Sequence, residues 1–310
     1  MKLVLLLITL LSQPICFAQW NGNSDTGNNV ISTVSNYWGT QLITTDHYGG
    51  AIAAFQSGNN IYAQRKTVGG QLKWGTVSAP LLVYAGSAAT NLSDMISDDN
   101  GGVYISFHEK LNDSTTHLYL KHIAANGDPA NNVLINPPGM MFCGESKLCL
   151  SGENVFVVWS TEQVNGEASF LNSNIYFQKF DKAGTVLLIP GAQKVSSESG
   201  SRSSPVVSSD SSGGMYIAFT DTRNSTIDSN GNVGNYDVYA QHFDANGNKL
   251  WPANDIVINN TPVTNQFTYQ DVAPPFIRNR RSSITMADGN WNIFYGNDID
   301  TLGALDNVLL

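Results

Sequence analysis

"VYAQHFDANGNKLW", residues 238–251, is the stretch on which the architecture turns, because its outline recurs along the 310-residue chain. Tyrosine opens five alignable segments, and glycine follows eight residues later in each: Tyr62 and Gly70, Tyr119 and Gly127, Tyr176 and Gly184, Tyr239 and Gly247, and, most divergently, Tyr295 and Gly303. The tyrosines are spaced by 57, 57, 63 and 56 residues. A regular period with an aromatic anchor marks one supersecondary unit stacked several times, so that neighbours bury what one unit alone leaves exposed. Within the phrase, Tyr239, Gln241 and Phe243 alternate with Val238, Ala240 and His242, so neither face is wholly polar. The segment reads as a strand buried on both sides. "DANG" then reads as a turn in which Asp244 and Asn246 bond to their own backbone and Gly247 supplies a positive φ.

A second phrase precedes the first. Phe55, Phe107, Trp159, Phe219 and Tyr295 each stand five residues after a turn residue, namely Gly50, Gly102, Asn154, Gly214 and Asn290. Tyr295 is thus claimed twice, as the end of this glycine strand or the start of a tyrosine strand. With extended segments upstream ("TQLITTD", "SPVVSSD") and one after the "DANG" turn, each repeat holds about four strands, the size of a propeller blade. The expected fold is all-β, a β-propeller of about five four-stranded repeat units, the last incomplete if Tyr295 belongs to the glycine strand. An open β array or twisted sandwich with the same hairpin period is the structural alternative.

Charged residues make up 13% of the chain and Gly contributes 28 residues, a balance that suits short strands and tight turns. The net charge of -9 and the lack of any basic stripe beyond "RNRR" (278–281) argue against a nucleic-acid partner. Residues 1–18 carry Lys2, an apolar run over residues 3–11 and Ala18 at the end. They read as a secretory signal peptide, since the run is too short to span a bilayer. Residues 19–310 are then one propeller repeat domain, secreted or associated with the outer surface, with no membrane span. In an oxidising compartment Cys143 and Cys149 are expected to form a local disulfide.

"SPVVSSDSSGGMYIAFTDTRN" followed by "DVYAQHFDANGNKLW" resembles the repeat of secreted Bacteroidetes-type β-propeller proteins. The resemblance covers most of residues 38–310. It implies secretion and a propeller, and because that repeat is architectural it implies no catalytic residue. "SDDNGGVY" (97–104) more distantly resembles the Asp-box turn of sialidases and related propellers, with Ser97, Asp99 and Gly101 at the box positions.

Chemistry is expected in the longest polar loop, "FTDTRNSTIDSNGNVGNYD" (219–237). Asp221 and Arg223 form a candidate ligand-binding pair, because a carboxylate and a guanidinium grip hydroxyls or acidic sugars with defined geometry; the plainer reading is a salt bridge tying the strand end. Asp228, Asn230 and Asn232 offer oxygens at alternating positions, so calcium is the candidate metal, although the loop lacks a distal bidentate acid. Glycoside hydrolysis requires two opposed carboxylates; Glu109, Glu145, Glu162, Asp221 and Asp237 supply the residue type. His122 and His242 share one repeat position, which points to packing near a strand edge. The expectation from sequence is a noncatalytic secreted or cell-surface binding or scaffold module with a carbohydrate or protein ligand. The alternative is a carbohydrate-active enzyme, glycoside hydrolase or sialidase-like, using acids on one propeller face.

Overall fold

A computed structural model describes residues 30–34, 40–112, 115–130, 132–135, 143–161, 173–187, 191–225, 237–259, 283–287, 290–297 and 307–309, with only the backbone for 143–145, for 259 and from 283 onward. Nineteen strands are found among them. The first sheet holds β1 (Gln41–Thr45), β2 (Ala51–Ser57), β3 (Asn60–Lys66) and β4 (Leu81–Ala85). The second holds β5 (Ala89–Ser97), β6 (Val103–Asn112), β7 (Thr115–Ile123) and β8 (Val133–Leu134). β9 (Cys143–Ser151), β10 (Asn154–Thr161), β11 (Asn174–Asp181) and β12 (Gln193–Lys194) form the third, and β13 (Arg202–Ser209), β14 (Met215–Asp221), β15 (Asp237–Phe243) and β16 (Ile256–Asn259) the fourth. In each of these four sheets the strands lie side by side in chain order and pair antiparallel. A fifth sheet has three strands, β17 (Ser283–Ala287), β18 (Asn290–Asn297) and β19 (Asn307–Leu309).

The first strands of successive sheets are neighbours: β5 packs on β1 and β9, and β13 on β9 and β17. Four four-stranded antiparallel sheets thus stand face to face in a propeller-like repeat arrangement. Among the described residues, four four-stranded units are found where about five were expected, the last incomplete if Tyr295 belongs to the glycine strand, and a three-stranded sheet follows them. Tyr295 lies in β18, the middle strand of that last sheet, opposite Leu309. It therefore ends a glycine strand and does not open a fifth tyrosine strand; Gly303 lies outside the described residues.

The cores lie between sheets, which is why the strands are apolar on both faces. In β10, Val155, Val157 and Trp159 pack with Tyr104, Leu118 and Leu120 of the second sheet. The alternate residues Phe156 and Val158 pack with Met215, Ile217 and Phe219 of the fourth. β15 is buried likewise, with Val238, Tyr239, Ala240, Gln241 and Phe243 all inside. The turn glycines of the tyrosine phrase, Gly70, Gly127, Gly184 and Gly247, take φ of 79°, 90°, 88° and 83°, a region that penalises a Cβ. At Gly127 sterics add to this, because a Cβ would stand 2.8 Å from Trp74 Cδ1.

The expected disulfide is not formed. Cys143 and Cys149 lie in one continuous strand, paired to Thr161 and Phe156 of β10. At about 3.3 Å per residue that separates their Cα atoms by roughly 20 Å, far beyond the reach of a disulfide. Cys149 is a buried free thiol whose pKa is pushed up to about 12, first by burial and then by the charge of Asp210. No helix among the described residues is long and apolar enough to cross a membrane.

Candidate functional site

At one end of the fourth sheet three ionisable residues stand in register. Arg202, the first residue of β13, pairs across to Asp221, the last of β14, and Asp221 pairs across to Asp237, the first of β15. Directly opposite residues share a face of a sheet. This row lies on the same face as Phe219 and Tyr239, one pleat along, which pack toward the third sheet. In β14 and β15 a terminal acid with an aromatic two positions further in produces this arrangement by alternation, whereas Arg202 comes into line beyond a register shift between Ser203 and Val206.

All three side chains are buried, and so is Asp255. Arg223 Nη2 lies 2.6 Å from Asp221 Oδ2 and 2.9 Å from Asp255 Oδ2. Arg202 Nε lies 2.9 Å from Asp221 Oδ2 but off the line of its N–H bond, so that contact is chiefly coulombic. The other guanidinium nitrogens of Arg202 donate to the carbonyls of Glu198 (2.6 Å), Ser199 (2.9 Å) and Gly200 (3.3 Å). Asp255 also accepts from Gln241 Nε2 at 3.0 Å, with Lys249 Nζ at 3.4 Å. The Arg223 guanidinium sits 3.8 Å from the centre of the Tyr239 ring, a cation–π contact. Asn224 Nδ2 donates to Asp237 Oδ2 at 2.9 Å and to the Tyr239 hydroxyl at 2.8 Å.

The two arginines titrate in opposite directions. Burial lowers the Arg202 pKa, partly offset by Asp221 and reinforced by Arg223. Burial also disfavours charge on Arg223, but its hydrogen bonds to Asp221 and Asp255 outweigh that and the pKa rises. Burial raises the Tyr239 pKa, which Arg223 opposes. The assembly is thus a nearly dry carboxylate–guanidinium network with an aromatic wall.

Among the other acids singled out in the sequence, Glu109 occupies the position in β6 equivalent to Asp221, two residues beyond the strand aromatic. It accepts from the Tyr84 hydroxyl (2.7 Å), the Ser87 N–H (2.7 Å) and hydroxyl (3.0 Å) and the Ala88 N–H (3.0 Å). Burial would raise its pKa, but these bonds lower it on balance. Glu109 therefore fastens the link between the first two sheets, and the third sheet stands between it and the Asp221 row. The Glu145 side chain, Glu162, and the calcium candidates Asp228, Asn230 and Asn232 lie outside the described residues. Among the described residues, no three His, Cys, Asp or Glu side chains gather as a metal would require.

A repeated set of contacts between a basic side chain and an aspartate escaped the sequence reading. His122 Nε2 lies 2.8 Å from Asp98 Oδ2, His242 Nε2 lies 3.0 Å from Asp210 Oδ2, and Arg65 Nε lies 3.0 Å from Asp46 Oδ2. Each aspartate also caps its turn through Oδ1, accepting from Tyr48 and Gly50, from Asn100 and Gly102, or from Ser212 and Gly214. The signal was present: each aspartate stands four residues before the marked glycine, and each base three residues after the tyrosine. In "SDDNGGVY" the capping acid is accordingly Asp98, while Asp99 is an exposed residue at φ 62°. The two histidines also stack on Tyr104 and Tyr216, so the packing expected of them is present alongside the pairing.

No protein-family model matches the chain, and no curated protein is similar to it in sequence. Among solved structures it is similar to an endo-arabinase from Bacteroides thetaiotaomicron VPI-5482, at 14% identity over 90% of this chain and 94% of that one, with a TM-score of 0.43. An α-L-arabinofuranosidase from Lactobacillus brevis is 16% identical over 82% of each chain, with a TM-score of 0.40. Another from Fusarium graminearum is 10% identical over 86% of this chain and 75% of that one, with a TM-score of 0.48. At such identities the likeness concerns fold and is not specific to Bacteroidetes-type repeat proteins. The expectation of a noncatalytic binding or scaffold module is corrected. At one end of the fourth sheet buried acids come together: Asp221 meets both Arg202 and Arg223, Asp255 meets Arg223, and Asp237 stands across from Asp221.

Proposed function

We propose that the protein is a carbohydrate-active enzyme, a glycoside hydrolase working outside the cell after loss of residues 1–18. The observation that carries this reading is the pairing of Asp221 with Asp237 on adjacent antiparallel strands. The Cβ atoms of cross-strand partners lie about 5 Å apart on the same side of the sheet, which lets the two carboxyl groups face one another as the ~5–5.5 Å separation in retaining glycosidases requires. In this reading Asp237 is the acid that meets the glycosidic oxygen. Asp221, gripped by Arg202 and Arg223, is the fixed carboxylate, and Asn224 and the Arg223–Tyr239 stack bind hydroxyls and the sugar face. Asp228, Asn230 and Asn232 are proposed to hold calcium and so order the connection between the two acids. The sheet β17–β19 is proposed to complete the array as its fifth unit.

Residues 19–310 incubated with a panel of arabinan, arabino-oligosaccharides and sialylated glycans should release reducing ends or free sugar from at least one of them. Asp237→Asn should lower that release by about 100-fold or more with little change in the unfolding midpoint. No release from any substrate by the folded protein, or release undiminished in Asp237→Asn, would exclude this assignment.

A further inference from the structure

Three asparagine–glycine pairs lie among the described residues, Asn100–Gly101, Asn126–Gly127 and Asn246–Gly247. All three look alike in sequence, and all three glycines have positive φ, at 85°, 90° and 83°. The structure separates them. The Gly127 N–H donates to Ala124 O at 2.8 Å and the Gly247 N–H to Asp244 O at 3.0 Å, so both nitrogens are tied into their turns. The Asn126 side chain is held as well, its Nδ2 donating to Asp128 Oδ2 at 2.6 Å and its Oδ1 accepting from the Asp128 N–H at 3.0 Å.

Asn100–Gly101 differs at the glycine nitrogen and in the groups around it. Its glycine N–H makes no backbone hydrogen bond among the described residues, because Asp98 Oδ1 caps the flanking N–H groups of Asn100 and Gly102 and passes over it. Arg65 lies over Gly101, its Nη1 being 2.7 Å from where a Cβ would stand, and a cation there favours loss of the amide proton. The Tyr48 hydroxyl donates to Asn100 Oδ1 at 3.2 Å, polarising the carbonyl and standing where an oxyanion develops. The Asn100 side chain is exposed.

We infer that Asn100 is a self-modifying site, deamidating through attack of the Gly101 nitrogen on Asn100 Cγ well ahead of Asn126 and Asn246. The Gly101 N–Cγ bond forms as the Cγ–Nδ2 bond breaks. The proton lost by the Gly101 nitrogen leaves with Nδ2 as ammonia, giving a cyclic imide. Solvent water then opens the imide at either carbonyl to aspartate or isoaspartate, with no redox change. The product places a new carboxylate beside Asp98 and Asp99, and the isoaspartyl form lengthens the turn backbone by one carbon, at the contact between the first and second sheets.

The test is peptide mapping by mass spectrometry of residues 19–310 held for days at mildly alkaline pH, with isoaspartate counted separately. The Asn100 peptide is expected to convert at least about tenfold faster than those of Asn126 and Asn246. In denaturant the three rates should draw together, since Asn-Gly chemistry alone then sets them. Tyr48→Phe, an exposed position, is expected to slow Asn100 several-fold in the folded protein. Conversion of Asn126 or Asn246 as fast as Asn100 in the folded state would overturn the inference, as would an Asn100 rate that is no faster folded than unfolded and is untouched by Tyr48→Phe.

Discussion

Gly127 joins two constraints in one atom position. Its φ of 90° penalises any Cβ, and that Cβ would also press on the indole of Trp74, whose Nε1 donates to Ala125 O at 3.1 Å across the sheet-to-sheet junction. Gly127→Ala is expected to cost about 2 kcal/mol or more, from backbone strain plus displacement of the ring. Gly58, at φ 58° with nothing within 4 Å of its would-be Cβ, supplies the control. Gly58→Ala should cost only the backbone part, about 1 kcal/mol, and equal losses in urea unfolding would refute the steric contribution at Gly127. Arg202 is the second residue of this kind. Arg202→Met leaves Asp221 buried with one guanidinium in place of two and is expected to cost about 3 kcal/mol. Arg202→Met/Asp221→Leu should lose less than the sum of the single changes, which a double-mutant cycle measures.

The hairpins joining the first and second strands show how an element carries a pH dependence. Burial acts to raise the carboxyls of Asp98 and Asp210, but bonds from His122 or His242 and from two backbone N–H groups hold both pKa values below the usual carboxylate range. A depressed folded pKa stabilises the protein fully above the unfolded value of about 3.9, and that contribution is lost as pH falls through the folded value. Asp98→Asn and Asp210→Asn should therefore flatten the decline in stability between about pH 4 and 2 while shifting it little near neutrality relative to each variant's own plateau. Unfolding free energy measured against pH tests this; an unchanged acid limb would assign the decline to other groups. The third sheet dispenses with the device. Its first hairpin runs from Ser151 to Asn154 without an aspartate, and Lys179, at the place of His122 and His242, instead reaches Ala245 O of the fourth sheet at 2.5 Å.

Across the molecule, such reaches recur: Arg65 and Trp74 bond Ala125 O, the Tyr104 hydroxyl bonds Lys182 O, and Lys179 bonds Ala245 O. Each runs from one sheet to the glycine turn of the next. The repeat made the turns and the two-faced strands legible, because a four-residue turn and a period of two are local. Sheet-to-sheet bonds span 51 to 78 residues and carry no local mark, so the bond from Trp74 to Ala125 O has no signature in the sequence. The Arg202–Asp221–Asp237 row was half legible: Asp221 and Arg223 were visible as a pair, but Arg202 reaches them only through the register of β13 against β14. The cysteines misled because proximity in sequence was taken for proximity in space, and an extended strand converts the first into distance.

Cys149 gives the interior its own timekeeper. Its thiol is packed in the core shared by the third and fourth sheets, among Phe156, Phe177 and Met215, and burial holds it protonated. A thiol reagent can meet it only while those sheets part, so in a Cys143→Ser background the labelling rate at neutral pH counts openings of that one seam. Lys179→Met should quicken the count without Gly58→Ala doing so, and equal acceleration by both would mean that the seam opens only when the whole chain unfolds.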